Sequence, residues 1–253
     1  MVRVLLHGCN GKMGQVMTRI LAQTPDAEIV CGVDVAPDKV KNSYPVYDSL
    51  SQVKETPDVV IDFSHHSALD ALLDYGTSRK VPLVICTTGF TPDERQRMVE
   101  ASRVIPILNS ANMSLGINLI LSLVKQVAPI LAESFDIEII EKHHNQKADS
   151  PSGTALMIAD AINSSLGNRL KFTYGRHSKT ARREPVELGI HAIRGGAIVG
   201  EHTVIFAGQG EVIEITHSAI SRDVFAYGAL RAARFLVGKA PGLYGMDDVL
   251  RVN

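Results

Sequence analysis

Residues 2–6, apolar apart from Arg3, run straight into Gly8-Cys9-Asn10-Gly11-Lys12-Met13-Gly14 and then into the amphipathic segment 15–22. That order leaves few folds open. A short apolar strand reads as the buried centre of a parallel sheet. Glycines three residues apart at the turn allow a tight bend, close approach of backbone to an anion, and close packing of the next helix. A second strand, residues 28–33, ends at Asp34, 20 residues beyond Gly14. A carboxylate there can accept hydrogen bonds from a ribose, so the run reads as a dinucleotide-binding βαβ unit. Val35 follows Asp34 and no cation comes before Lys39, whereas a ribose 2′-phosphate wants a positive charge beside it. NADH is therefore favoured over NADPH.

The alternation continues. Residues 59–63, 82–86 and 104–108 are further apolar strands, with helical stretches at 67–78 and 92–102 and a polar connection at 37–57. Four strand–helix units in about 110 residues predict a Rossmann-type parallel sheet, with ligands beyond the carboxyl ends of its strands. Two of those ends, Cys86-Thr87-Thr88-Gly89 and Ser110-Ala111-Asn112-Met113, are small and polar, as needed where backbone approaches a flat ring. A third end carries Ser64, His65 and His66, which read best as the start of the following helix.

Residues 114–131 form a long apolar helix leading into a second domain. Beyond it, residues 135–140 alternate as a strand, and 186–194, 201–207 and 211–218 are strand-like with no helix between them. Consecutive strands imply an antiparallel or mixed sheet, one face of which is free to pair with another subunit. Residues 222–237 form an alanine-rich helix, and the tail 241–253 lies back on the first domain. The expected class is α/β: an N-terminal Rossmann dinucleotide-binding domain, residues 1–113 completed by 222–253, and a second α+β domain, 114–221, carrying a mixed sheet.

The chemistry concentrates in Glu141-Lys142-His143-His144-Asn145-Gln146-Lys147-Ala148-Asp149-Ser150-Pro151-Ser152-Gly153-Thr154-Ala155. Two histidines and a lysine sit on a strand-to-helix connection, and hydroxyl residues cap the helix that follows. This supplies a proton relay, a fixed cation and free backbone N–H groups suited to a carboxylate or phosphate. The net charge of −1 leaves no basic excess for a nucleic-acid or membrane surface, so any anion site must be local. No apolar run approaches the roughly 20 residues that span a bilayer, and the N-terminus has no signal-peptide layout. Three cysteines, Cys9, Cys31 and Cys86, lack metal-ligand spacing and fit a reduced cytoplasm. No metal is expected. A hydrolase site built on His65/His66 and His143/His144 with Asp149 is disfavoured, because adjacent strand residues point to opposite faces. A non-catalytic nucleotide sensor would leave His143 and Lys147 without a task.

The central stretch and the Gly8–Gly14 loop together closely resemble the dihydrodipicolinate (4-hydroxy-tetrahydrodipicolinate) reductases of bacterial lysine biosynthesis. Thr87-Thr88-Gly89-Phe90, Asn112-Met113-Ser114-Leu115-Gly116, Arg194-Gly195-Gly196, Gly200-Glu201-His202, Glu214-Ile215-Thr216-His217, Ser221-Arg222 and Gly242-Leu243-Tyr244 extend the resemblance over the whole chain. The resemblance implies that Gly8, Asn10, Gly11, Lys12 and Met13 hold the pyrophosphate of NAD(P)H and Asp34 its ribose. It implies that Cys86, Thr87, Thr88, Ser110, Ala111, Asn112 and Met113 line the nicotinamide side. His143 is implied as proton donor or acceptor and Lys147 as proton donor. His144, Lys147, Ser152, Gly153 and Thr154 are implied to bind a cyclic dicarboxylate. A homotetramer built through the second domain's sheet is implied as well. Two positions depart from the pattern: Cys86 stands where many relatives have glycine, and Val35 where NADPH-using relatives carry arginine.

Overall fold

The computed structural model describes residues 1–251. In chain order its elements are β1 (Val2–His7), α1 (Lys12–Leu21), β2 (Ala27–Val33), β3 (Val46–Tyr47), β4 (Val59–Asp62), α2 (Leu69–Arg79), β5 (Leu83–Ile85), α3 (Pro92–Ser102), β6 (Pro106–Asn109) and α4 (Leu115–Leu131). Then come β7 (Asp136–His143), α5 (Gly153–Ser165), β8 (Lys171–Tyr174), β9 (Glu187–Arg194), β10 (Gly200–Ala207), β11 (Val212–Ala219), α6 (Asp223–Leu236), β12 (Gly242–Tyr244) and α7 (Met246–Leu250). They divide into two compact units: Met1–Leu115 with Arg222–Asn253, and Gly116–Ser221. None of the helices among the described residues is long and apolar enough to cross a membrane.

In the first unit seven strands form one parallel sheet in the order β12-β6-β5-β4-β1-β2-β3. Strand period two divides their side chains between two cores. Val4, Leu6, Val59, Ile61, Val84 and Leu108 pack under α1, α6 and α7, whereas Leu5, Val60, Leu83, Ile85 and Ile107 pack under α2 and α3. Each of these residues is fully buried, worth roughly 1.5–3 kcal/mol of transfer free energy apiece. Strands buried on both faces must be apolar throughout, which is why β1 and β4 carry no alternation. The order reverses between β1 and β4, so the loop after β1 opens at the switch point where such sheets bind ligands.

In the second unit five strands form a mixed sheet ordered β11-β10-β7-β9-β8, with β10 antiparallel to β7 and β11, and β9 parallel to β7 and β8. Partnered residues share a face. Ile137, Ile139, Leu188, Ile190, Val204 and Phe206 form the apolar part of one face, packed against Ile117, Leu121 and Val124 of α4 and Ile158 and Ile162 of α5. The opposite face carries Glu138, Ile140 and Lys142 on β7, and charge rather than apolar burial organises it. Glu138 accepts from Arg176, Arg183 and His191 at 2.6, 3.0 and 2.7 Å, and Lys142 pairs with Glu201.

Three strands lie outside the sequence expectations: β3 within the supposed polar connection, β8 between α5 and β9, and β12 in the tail. All three are at most four residues long and sit at sheet edges. They are too short for a period-two pattern to stand out.

Candidate active site

In the first unit the glycine loop closes as its composition requires. Gly8 has φ +76°, and a Cβ there would meet the Phe63 carbonyl oxygen at 2.6 Å; one on Gly14 would meet the Gly8 carbonyl oxygen at 2.3 Å. Helix α1 then starts behind the N-cap Gly11 with no side-chain cap; Gly11 N–H donates to Gly8 O at 3.2 Å, and the N–H groups after it, from Lys12 on, belong to the open first turn. A backbone cradle that a side chain would fill, at an uncapped helix start, fits a dinucleotide pyrophosphate. Asp34 ends the second strand's run, its oxygens accepting from Asn10 N at 2.9 Å and Ala36 N at 3.0 Å. Each carboxylate oxygen keeps a further acceptor site for a ribose hydroxyl. Val35 beside it is 95% exposed.

Asn10, expected beside the pyrophosphate, is engaged within the protein. Asn10 is buried, and its amide donates to Ala36 O and Pro37 O at 2.7 and 3.1 Å while its oxygen accepts from Asn42 at 2.8 Å. With its backbone N–H given to Asp34, no polar group of Asn10 except its carbonyl remains for a phosphate. It braces the loop against the segment after β2 instead.

At the carboxyl ends of β4 and β5, Met13, Phe63, Ser64, His65, His66, Cys86, Thr87 and Thr88 line a cavity of about 350 Å³. This brings together four of the expected cofactor residues, but not Ser110–Met113, which form a separate tight turn. Ser110 Oγ donates to Asn112 O at 2.8 Å, Asn112 Oδ1 accepts from Ser114 N at 2.9 Å, and the Met113 side chain is in the core. Beneath the cavity lies buried Asp62, which accepts from Ser64 Oγ at 2.6 Å and Thr87 Oγ1 at 2.7 Å. His7 Nδ1 approaches it at 2.9 Å, a charge contact off the line of a good hydrogen bond. Burial alone would raise the Asp62 pKa, but the His7 contact and the two hydroxyls outweigh it and hold the carboxyl below its usual range. His65 caps the short helical turn His66–Ala68, and His66 Nδ1 lies 3.1 Å from Glu94 Oε1, so this pair starts a helix as its sequence suggested.

In the second unit the same sheet face that is apolar at one end turns polar at the other. Period two places Glu141 and His143 after Ile137 and Ile139, and register sets His202 opposite Glu141 and Arg194 opposite His143. His143 is thus the last residue of β7 and buried, rather than part of the connection as expected. A Cβ on Gly200 would come within 3.0 Å of His143 Nε2, so glycine makes room for the ring. Glu141 is wholly buried and would cost several kcal/mol unpaired. It is satisfied by Arg194 Nη1 and His143 Nδ1 on one oxygen (2.7 and 2.6 Å), and Arg194 Nη2 and Ser152 N on the other (2.7 and 2.9 Å). Burial opposes ionisation of Glu141, but Arg194 first, then His143 and Ser152, keep its pKa below the usual carboxylate value.

Ser152 caps α5, its Oγ accepting from Ala155 N at 3.1 Å and lying 2.9 Å from His202 Nε2. With N–H and hydroxyl both engaged and the residue buried, Ser152 holds the helix start. Gly153 and Thr154, the first residues of α5, are more open. Lys147 Nζ bonds Asp149 Oδ1 at 2.8 Å; this contact, aided by the Gly153 N–H, depresses the Asp149 pKa against a smaller burial effect. An internal carboxylate therefore rests between the lysine and the helix start. Half-buried His144 begins the turn that carries Lys147, whose N–H donates to His144 O at 3.2 Å. His202 meets His143 edge-on with ring centroids 5.2 Å apart, and burial, then the charge of His143, pushes its pKa down to about 4.

Glu141, Arg194 and His202 had no role assigned from sequence. The available signal was the i, i+2 spacing of Glu141 and His143 on one strand. The partners 53 and 61 residues further on become visible only through the sheet register.

Comparison with known proteins bears on the whole chain. Residues 2–113 match the family described as dihydrodipicolinate reductase, N-terminus, and residues 116–250 match dihydrodipicolinate reductase, C-terminus. A 4-hydroxy-tetrahydrodipicolinate reductase from Caldanaerobacter subterraneus subsp. tengcongensis is 57% identical over 255 residues, covering 99% of each chain. One from Clostridium botulinum is 51% identical and covers 100% of both. A solved dipicolinate-bound dihydrodipicolinate reductase from a Paenisporosarcina species shares the fold, with a TM-score of 0.84 at 23% identity over 99% of each chain. With family models matched over both halves and relatives matched end to end, the chain belongs to the dihydrodipicolinate reductase family.

Proposed function

We propose that this oxidoreductase reduces the cyclic imine 4-hydroxy-tetrahydrodipicolinate to tetrahydrodipicolinate, in lysine and diaminopimelate biosynthesis. The full-length match to reductases of that name carries the reading. NAD(P)H, when bound, supplies the hydride from its nicotinamide C4. The N–H groups of the first turn of α1, from Lys12 and Met13, receive the pyrophosphate across the bend formed by Gly8 and Gly11, and Asp34 receives the adenosine ribose. Cys86, Thr87 and Thr88, with the turn Ser110–Met113, form the nicotinamide side. NADH is the preferred donor: exposed Val35 offers nothing to a 2′-phosphate, and Lys39 is the first cation after it.

The 4-hydroxyl leaves as water, which gives the conjugated imine; hydride addition to it then leaves electron density on carbon or nitrogen that must be protonated, and His143 and Lys147 supply the proton. A dianionic substrate is costly to desolvate unpaired. Lys147, His144 and the first N–H groups of α5, at Gly153 and Thr154, receive its carboxylates, one of which takes the position Asp149 now holds beside Lys147. A dicarboxylate of this kind agrees with the dipicolinate bound by the Paenisporosarcina relative. The chain acts in the cytoplasm as a homotetramer. The charged face of the second unit's sheet, where Ile193 is 46% exposed, supplies the subunit contact. Light scattering of the purified protein tests the assembly, and a particle of one chain's mass refutes it. The test of function is consumption of NADH that depends on the cyclic imine and is slowed about 10²-fold or more in the His143 and Lys147 variants.

A further inference from the structure

Four N–H groups converge on Glu141, and they come from three places: the strand that carries His143, Arg194 on β9, and the start of α5. A buried carboxylate whose task was stability alone would need only its arginine. Here Arg194 balances the charge and also donates to Asp149 O at 2.6 Å, fixing the connection that carries Lys147. The remaining two bonds reach the acid–base histidine and the first backbone N–H before the substrate helix. We propose that Glu141 is a positioning residue for the reduction. It holds His143 with its proton on Nδ1, leaving Nε2 to exchange a proton with substrate, and it ties that ring to the start of α5, where the substrate carboxylate binds.

An ionised carboxylate only accepts, so the 2.6 Å contact assigns the proton to Nδ1. The other ionisable groups around the ring leave that assignment intact. His202 from β10 meets it edge-on, Arg194 faces Glu141, and Lys147 and Asp149 are paired with each other. Glu201 is engaged on the opposite face by Lys142 and by Ser218 Oγ at 3.0 Å. Substitution by glutamine disrupts this arrangement in a defined way. The amide has one acceptor oxygen for four donors. Turning its NH₂ toward Arg194 Nη2 and Ser152 N sets donor against donor twice, whereas turning it toward His143 does so once, against Arg194 Nη1. The amide therefore donates to Nδ1 and drives the ring proton to Nε2.

The inference rests on the reading of His143 as the acid–base group, and its test separates the two. In ¹⁵N-labelled wild-type protein at a pH where His143 is neutral, its ring nitrogen shifts should report Nδ1–H and a bare Nε2; in Glu141→Gln they should report Nε2–H. Imine turnover should fall about 10²-fold or more in kcat, with KM and NADH affinity within about threefold of wild type. Glu141→Asp, still acceptor-only, should keep the Nδ1–H form and recover at least tenfold over the glutamine variant. An active wild type whose neutral His143 carries its proton on Nε2 overturns the inference, whether or not any variant folds. So does a folded Glu141→Gln protein with kcat within threefold of wild type. A wild type inactive with the imine refutes the functional reading and this inference with it.

Discussion

His202 is buried between His143 and the capping serine of α5, and its neutrality has a measurable consequence. Its ordinary pKa of 6.5 falls to about 4 in the folded chain, through burial first and the neighbouring charge of His143 second. Its Nδ1 has no hydrogen-bond partner among the described residues, so protonation there would place an unsatisfied charge at 4% exposure. Between these two pKa values the unfolded chain binds a proton that the folded one refuses, so stability rises with pH through this window and is lost as pH falls from 6.5 toward 4. Taking RT ln[(1 + 10^(6.5−pH))/(1 + 10^(4−pH))], the loss is about 2 kcal/mol between pH 7.5 and pH 5 and about 3 kcal/mol by pH 4. Carboxylates with depressed pKa values, Glu141 and Asp149 among them, add to the same slope. The His202 share is therefore the difference in slope between wild type and His202→Asn. Hydrogen exchange of β10 amides at pH 7.5 and pH 5 reads it within the second unit, without requiring both units to unfold together. The Asn variant should lose about 2 kcal/mol less than wild type over that range. In parallel, the His202 ring resonances should not titrate above pH 5. Titration near 6.5, or equal slopes in the two proteins, would refute the reasoning.

Other consequences follow from the separate sites. His143→Ala and Lys147→Ala should each lower imine turnover by about 10²–10⁴-fold, while NADH affinity by fluorescence titration barely changes; a large loss of NADH binding would contradict the assignment of these residues to substrate chemistry. Asp34→Ala should weaken NADH more than NADPH, since it removes a ribose acceptor while also loosening the Asn10 and Ala36 amides; equal weakening would mean that Asp34 only braces the loop. Gly8→Ala should cost about 1–3 kcal/mol for its positive φ alone, with the 2.6 Å approach to Phe63 O added. It should show as a lowered thermal midpoint together with weakened nucleotide binding.

Much of the first unit was legible because its strands are buried on both faces. Continuous apolar runs such as β1 and β4, separated by glycine loops and amphipathic helices, admit few alternatives. The second unit was harder to read at its functional end. Ile140 and Glu141 break the expected alternation on β7: the isoleucine lies on the charged face and the glutamate is buried. A hydrophobic pattern cannot anticipate a buried glutamate, because what stabilises it is Arg194, contributed by a neighbouring strand. For the same reason the internal bonds of Asn10 and Ser152, two residues whose roles only the family resemblance implied, were not legible: they depend on Asp34, Asn42, Glu141 and His202.

The central claim is tested most directly by following nucleotide absorbance with the cyclic imine generated in place from pyruvate and aspartate semialdehyde by its synthase. NADH and NADPH are assayed in parallel. The account predicts decay that requires the imine, is faster with NADH, and is slowed about 10²-fold or more in His143→Ala and Lys147→Ala. No decay with either nucleotide, when both are shown to bind, would contradict it.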